Sequence, residues 1–474
     1  MSVNKRIINA IIGFVLYLAI AYGLGLTGVI DPTAAKGIGV AVWMIYWWVT
    51  RPVNITVTAL LPAVVNALFN IVPMEDIISQ YSSSSIILIF GSCLLTAPWA
   101  AIGLDKRISL KALSLIGPSM KSQIAVWLLA AIVLSNMMPN VVVVAIFTPI
   151  AVSMLKAAGY EDIKKCEPAV PILCAIAWGA QLGGAGTPLG GAMNITAIDF
   201  IEKFTGKEFM YVDWIIRMVP YTAVAAIVVL LMMIFKKRKV DRLEGTKEYF
   251  KESYAKLGPM KREEKISLVL FIIAMLGSFL RPLYADLLPG LVPAYLFLAT
   301  GLINFIIIAA DKKSMLLEWE GAQKEVMWGM LLLFAGGLAL GQILTGSGAN
   351  DVIADLISKI NLGGGLGTIA IFAVFACIIS EMTNSTVSAA VTIPIVIGVT
   401  TKMGLNPIPY IFTTAMAMNY ESLLPVSVRA ITVSHGIEPN VMMKTGFPIT
   451  IVRMLVAIVC GYLMMLLWPG FGEL

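Results

Sequence analysis

Residues 7–30 read IINAIIGFVLYLAIAYGLGLTGVI, twenty-four residues without a charge. A bilayer core takes roughly 20 apolar residues of helix to cross, so this one run already restricts what the chain can become. It is too long for a signal-peptide core, and no small-residue cleavage site follows it. Comparable runs occupy residues 84–104, 222–235, 301–310, 325–344 and 454–468. In hydrocarbon, backbone N–H and C=O groups find partners only within protein, so such runs must be helical; strands of a membrane barrel would alternate polar and apolar residues. Composition agrees: 59% of the 474 residues are hydrophobic and 13% charged, against about 25% charged in soluble proteins. The sequence therefore predicts an all-α polytopic membrane protein. Five widely spaced cysteines (93, 166, 174, 377 and 460) contain no CxxC pair and read as small apolar filler.

Charge sets the topology. Eleven of the 34 basic residues fall in residues 236–265, together with six acids. Basic loops concentrate on the cytoplasmic side, which places this linker in the cytoplasm, and Lys5, Arg6 and Arg51 fit the same side with the N-terminus inside. The C-terminal WPGFGEL has no base and suits an outside end. An inside start and an outside end require an odd number of crossings, and about eleven can be counted.

The linker also divides the chain into two related halves, residues 1–235 and 266–474. Pro149 and Pro394, Ile150 and Ile395, and Gly159 and Gly404 stand at one offset, 245 residues (394 − 149). Ser135 then pairs with Ser380. An odd number of crossings between equivalent points makes the halves an inverted-topology repeat, a plan known from transporters. Each half holds one segment too polar at its centre for a simple span. Residues 122–154 contain Ser-Asn and Pro-Asn, and residues 362–398 contain Met-Thr-Asn-Ser-Thr. Both read as re-entrant hairpins. Asn, Ser and Thr are good N-caps and Pro139 suits a first helical turn, so each tip starts a helix whose free N–H groups attract anions. Two Gly/Pro-broken stretches follow, residues 184–194 and 423–430. Interrupted segments in matching positions point to a binding site near the midplane.

These residues resemble the divalent anion/sodium symporter family, the INDY-type di- and tricarboxylate transporters. The second tip has Asn384-Ser385-Thr386 where that family has Ser-Asn-Thr; the first has Pro139-Asn140-Val141. GGAGTPLGGAMN and LLPVSVRAI resemble the family's two unwound segments, the second shortened by two residues. The resemblance implies a homodimer in the cell membrane, each protomer with a scaffold and a transport domain that moves as an elevator. It implies that Asn140, Val141, Thr187, Gly191, Asn384, Ser385, Thr386 and Ser427 hold a small dicarboxylate of four or five carbons. If the carrier is sodium-coupled, one ion sits with Ser135, Asn140 and Gly190 and a second with Ser380, Ser385 and Ser427.

Arg429 departs from the pattern. A charge at the bilayer centre costs about 2.5–3.5 kcal/mol on insertion scales, and a guanidinium can fork onto a carboxylate. Arg429 therefore either binds substrate, replacing the charge of sodium, or pairs with Glu381 or Glu421. If it binds substrate, the empty carrier is left with an unpaired charge, which favours dicarboxylate exchange. Sodium-coupled symport is the alternative; proton coupling and an anion channel stand behind it. With one histidine, no HExxH, no GxSxG and no GxxxxGK[ST], no enzyme, ATP-driven pump or organic cofactor is indicated, and nothing points to nucleic acid.

Overall fold

The computed structural model describes residues 2–26, 28, 30–358, 363–419, 422–424 and 428–473. Among these residues the chain is nearly all helix, and its only β-pairings are two isolated bridges. Among the described residues eight helices are long and apolar enough to cross a bilayer. Shorter apolar helices accompany them, including Met120–Ser135 and Leu366–Met382. Ile7, Ile8, Ile11 and Val15 on the first span are exposed, as a lipid-facing surface requires. The innermost helices, Ala169–Gly186 and Ser385–Lys402, are mostly buried in protein.

Each half contains a helix hairpin where the sequence breaks its apolar run. In the first, Met120–Ser135 stops at Asn136, and Pro139 precedes the returning helix Asn140–Ala157. The arms are antiparallel: Trp127 meets Phe147 edge-to-face, with ring centroids 5.5 Å apart, and these positions are equidistant from residue 137. In the second, Leu366–Met382 ends at Thr383, and Asn384 caps Ser385–Lys402 by accepting from the Val387 N–H at 2.9 Å. Its arms are joined by Ser388 Oγ donating to the Ala376 carbonyl at 2.8 Å.

The helix that follows the first hairpin packs on it through glycine. Gly179 and Gly183 lie one turn apart in Ala169–Gly186, against Leu128 and Ile132, which are one turn apart on the hairpin. A Cβ on Gly183 would overlap the Ile132 carbonyl and backbone. Membrane helices approach this closely only where small residues remove the side-chain layer.

The linker 236–265 is more than the solvated loop its charge suggests. Residues Thr246–Ala255 form a helix whose Phe250 is fully buried, 5.9 Å from the Trp127 ring centroid. Gln123 donates to Thr246 Oγ1 at 2.9 Å, and Met120 N–H to the Asp241 carbonyl at 2.8 Å. Buried Arg107 pairs with Glu264 at 2.8 Å and also donates to the carbonyls of Leu257, Gly258 and Pro259. The first part of the linker is thus fastened to the first hairpin, and its end to the preceding helix Leu104–Leu113, which carries Arg107.

Gly183→Ala is expected to destabilise the protein by about 1–3 kcal/mol, the usual cost of overpacking. Gly367→Ala, where an added Cβ meets nothing within 4 Å, serves as the control. Thermal unfolding in detergent compares the two; equal midpoints would show that the helices can separate at Gly183 without cost.

Candidate functional site

The two hairpin tips meet on one cavity of about 720 Å³. Asn140 and Val141, the first residues of one returning helix, line it together with Asn384, Ser385 and Thr386 from the other. Two 18-residue helices therefore present their first turns to the same space. Their first-turn N–H groups and macrodipoles make it favourable to anions. Arg6 and Arg51 also line the cavity, with Asn54 and Thr56. None of the described residues lining it is a carboxylate. Sequence reasoning assigned Arg6 and Arg51 to topology alone and passed over Asn54 and Thr56; no local signal marks them, because the fold brings them to the cavity from outside the hairpins.

Behind the first tip lies a neutral network. The first broken helix stops at Gly186, makes a short turn at Pro188–Gly190, and resumes as Ala192–Thr205. Asn194 Nδ2 donates to the carbonyls of Gly184 and Thr187 at 2.6 and 2.7 Å, satisfying the freed backbone. Thr187 Oγ1 donates to the Asn136 carbonyl at 2.7 Å and accepts from Gly190 N–H at 3.2 Å. Thr187 thus ties tip to turn rather than lining the cavity, where Ala192 appears instead of Gly191. Asn140 packs over Gly184, and Ser135 contacts Gly190 so closely that a Cβ at Gly190 would overlap the Ser135 carbonyl. Ser135 Oγ and Asn194 Oδ1 are buried with no hydrogen-bond partner. Buried polar atoms are rarely left so. Two neutral oxygen donors with spare lone pairs, in a region crowded with carbonyls, fit a small hard cation such as sodium.

Behind the second tip the network is charged. Glu381, the penultimate residue of Leu366–Met382, accepts the backbone N–H groups of Ser422 at 2.6 Å and Leu423 at 3.1 Å on Oε1, and that of Leu424 at 3.4 Å on Oε2. Oε2 also pairs with Arg429 Nη1 at 2.7 Å. Ser380 Oγ donates to the Met418 carbonyl. Arg453, which sequence reasoning missed, is fully buried and donates to the Asn419 carbonyl and to Ser422 Oγ. Asn419 reaches across to the Gln181 carbonyl and joins the two broken helices. Ser427 and Glu421 lie outside the described residues.

Arg429 is fully buried and is not among the described residues that line the cavity; it pairs with Glu381, one of the two carboxylate partners the sequence offered. His435 is half-buried and engaged locally, with Nδ1 2.8 Å from the Ile431 carbonyl.

A multi-pass helical membrane protein with two hairpin tips facing one anion-favouring cavity is a transporter, not an enzyme. The chain belongs to the citrate transporter (CitMHS) family, matching it over residues 45–417, in keeping with its divalent anion/sodium symporter motifs. It is 26% identical over 457 residues to the sodium-dependent dicarboxylate transporter SdcS of Staphylococcus saprophyticus, covering 91% of this chain and 87% of that protein. The protein of the same name from Staphylococcus aureus is 26% identical over 446 residues, 90% of this chain and 85% of its own length. Two solved structures share the fold. The Alcanivorax borkumensis YdaH transporter aligns with a TM-score of 0.54 and 10% identity, over 84% of this chain and 89% of its own. Neisseria gonorrhoeae MtrF aligns with a TM-score of 0.57 and 13% identity, over 91% and 94%.

Removing one partner of a buried ion pair leaves an uncompensated charge and costs about 3–5 kcal/mol. Arg429→Met is expected to destabilise by that order. Adding Glu381→Gln should recover part of the loss, because the stranded carboxylate disappears while an oxygen remains for the residue 422–424 amides. Unfolding of both single variants and the double variant measures the coupling; strict additivity would mean the pair is energetically idle.

Proposed function

We propose that the chain is a sodium-coupled carrier of small dicarboxylates. The observation that carries this reading is the convergence of the Asn140-Val141 and Asn384-Ser385-Thr386 tips on one cavity with Arg6 and Arg51 and no lining carboxylate among the described residues. In this proposal each tip grips one carboxylate of a four- or five-carbon dianion, through first-turn N–H groups and the side chains of Asn140, Asn384, Ser385 and Thr386. The two arginines raise the local concentration of the anion. The relatives named as sodium-dependent dicarboxylate transporters support the same substrate class and the same coupling.

Coupling follows from the charges. Exchange, the first reading of Arg429, needed an uncompensated guanidinium in the site, and Glu381 supplies the compensation. A dianion crossing the membrane then needs mobile cations. We place one sodium with Ser135, Asn140 and Gly190, where Ser135 Oγ and Asn194 Oδ1 have spare lone pairs, and treat Ser380, Ser385 and Ser427 as the matching set of the second half. Thr187 and Gly191 act by shaping the first turn.

The rest of the proposal concerns motion and assembly. The hairpins and broken helices form a transport body, and the remaining spans a scaffold along which it moves in elevator fashion. The halves 1–235 and 266–474 form an inverted repeat, the linker 236–265 and the N-terminus are cytoplasmic, the C-terminus is extracellular, and two protomers pair.

Uptake of labelled succinate into proteoliposomes tests the coupling. Uptake should collapse when choline replaces sodium, with or without internal substrate; exchange that persists in choline would return the reading to an antiporter. Asn140→Ala and Ser385→Ala should each weaken substrate binding by about 1.5–3 kcal/mol, roughly 10- to 100-fold. Unchanged affinity in both would remove the tips from the site. Citrate competing better than succinate would move the substrate class to tricarboxylates.

A further inference from the structure

The helix Tyr211–Phe235 ends in a basic step, Lys236-Lys237-Arg238. The side chains of this step rim a groove of about 560 Å³ that shares no residue with the tip cavity. Three long helices form it: the end of Tyr211–Phe235, the start of Ala169–Gly186 and the start of Pro439–Leu467. Its walls are apolar, with Val170, Met232, Val441 and Ile449 among them. Phe235 is 74% exposed beside the groove, where an aromatic ring suits the membrane–water boundary.

The charge at the rim is only partly offset, by Asp241 near Arg238. No ion pair among the described residues involves Lys236, Lys237 or Arg238. Lys236 Nζ donates only to Thr445 Oγ1, at 3.2 Å, and Arg238 to the Met233 carbonyl. The one carboxylate lining the groove, Glu167, accepts the Lys239 N–H at 2.8 Å. Helices of 18 and 29 residues also begin at this rim, adding the positive ends of their dipoles.

We propose that this groove binds an anionic phospholipid. Its phosphate is held by Lys236, Lys237 and Arg238, and an acyl chain lies along the Met, Val and Ile wall. A water-soluble anion would use the cations but leave the apolar wall wet; a zwitterionic lipid would fill the wall but leave the cations unmatched. An anionic lipid satisfies both. Basic pockets between spanning helices at the cytoplasmic face are where such headgroups bind.

The test uses purified full-length protein in a neutral detergent. Thermal unfolding is followed with added phosphatidylglycerol, phosphatidylcholine or inorganic phosphate. Phosphatidylglycerol alone should raise the midpoint. Each neutralised cation should weaken its binding about fivefold, so K236Q/K237Q/R238Q together should weaken it on the order of a hundredfold. Val441→Phe, which fills the wall and leaves every charge in place, should also abolish the shift, and it decides the matter if the triple variant does not fold. An equal shift from phosphatidylcholine, a shift from inorganic phosphate alone, or a phosphatidylglycerol shift that survives Val441→Phe would each overturn the proposal.

Discussion

A backbone that leaves the helix inside a membrane finds no partner in lipid, and the centre of this protein is organised around that constraint. The two broken helices free a set of amides and carbonyls at the depth where the hairpin tips arrive. In the first half, amide and hydroxyl side chains satisfy them: Asn194 takes on two carbonyls and Thr187 bridges tip and turn. In the second half a carboxylate does it, Glu381 gathering the N–H groups of residues 422–424. In both halves the group that repairs the broken helix also anchors it to a neighbour, so the cavity between the tips is held by the same bonds that make the breaks tolerable.

The two solutions differ in what they demand of their surroundings. Neutral donors and acceptors can be buried once paired. A carboxylate in apolar surroundings costs several kcal/mol unless a cation and further hydrogen bonds accompany it. Arg429 supplies the cation, at 2.7 Å, and with Glu381 caught between residues 422–424 and Arg429, the second hairpin and second broken helix are locked to each other. The guanidinium that made Arg429 conspicuous is engaged by Glu381, and on the proposed function the cavity draws its anion through helix N-termini and through Arg6 and Arg51.

The spans, both hairpins and both breaks were legible in the sequence, because apolar length, proline and glycine act locally. The tips were legible too: Asn140, Val141, Asn384, Ser385 and Thr386 do share one cavity. What could not be read depends on who meets whom. Glu381 was visible as one possible partner for Arg429, but nothing local chose between a partner 48 residues away and a bound anion. Arg6 and Arg51 carry the same signal as any cytoplasmic base until folding brings them to the cavity wall. Phe250 and Thr246 looked like parts of a charged loop because their burial comes from Trp127 and Gln123 on the hairpin.

The distribution of charge bears on how such a carrier returns empty. Arg6 and Arg51 are exposed, so water pays their solvation whether or not an anion is present. Arg429 is buried but travels with its own counter-charge, Glu381. On the proposed elevator motion the empty transport body then drags no uncompensated guanidinium through a low dielectric, and nothing forces it to wait for a second substrate before resetting. The loaded body has the opposite problem. On that proposal the body leaves Arg6 and Arg51 behind, and two carboxylates between the tips exceed what helix dipoles of about half a charge each can balance, so the shortfall would arrive and leave with the substrate. Of the two networks, the neutral one behind the first tip has oxygen lone pairs to spare, at Ser135 and Asn194, which is the reason the proposed cation is assigned there.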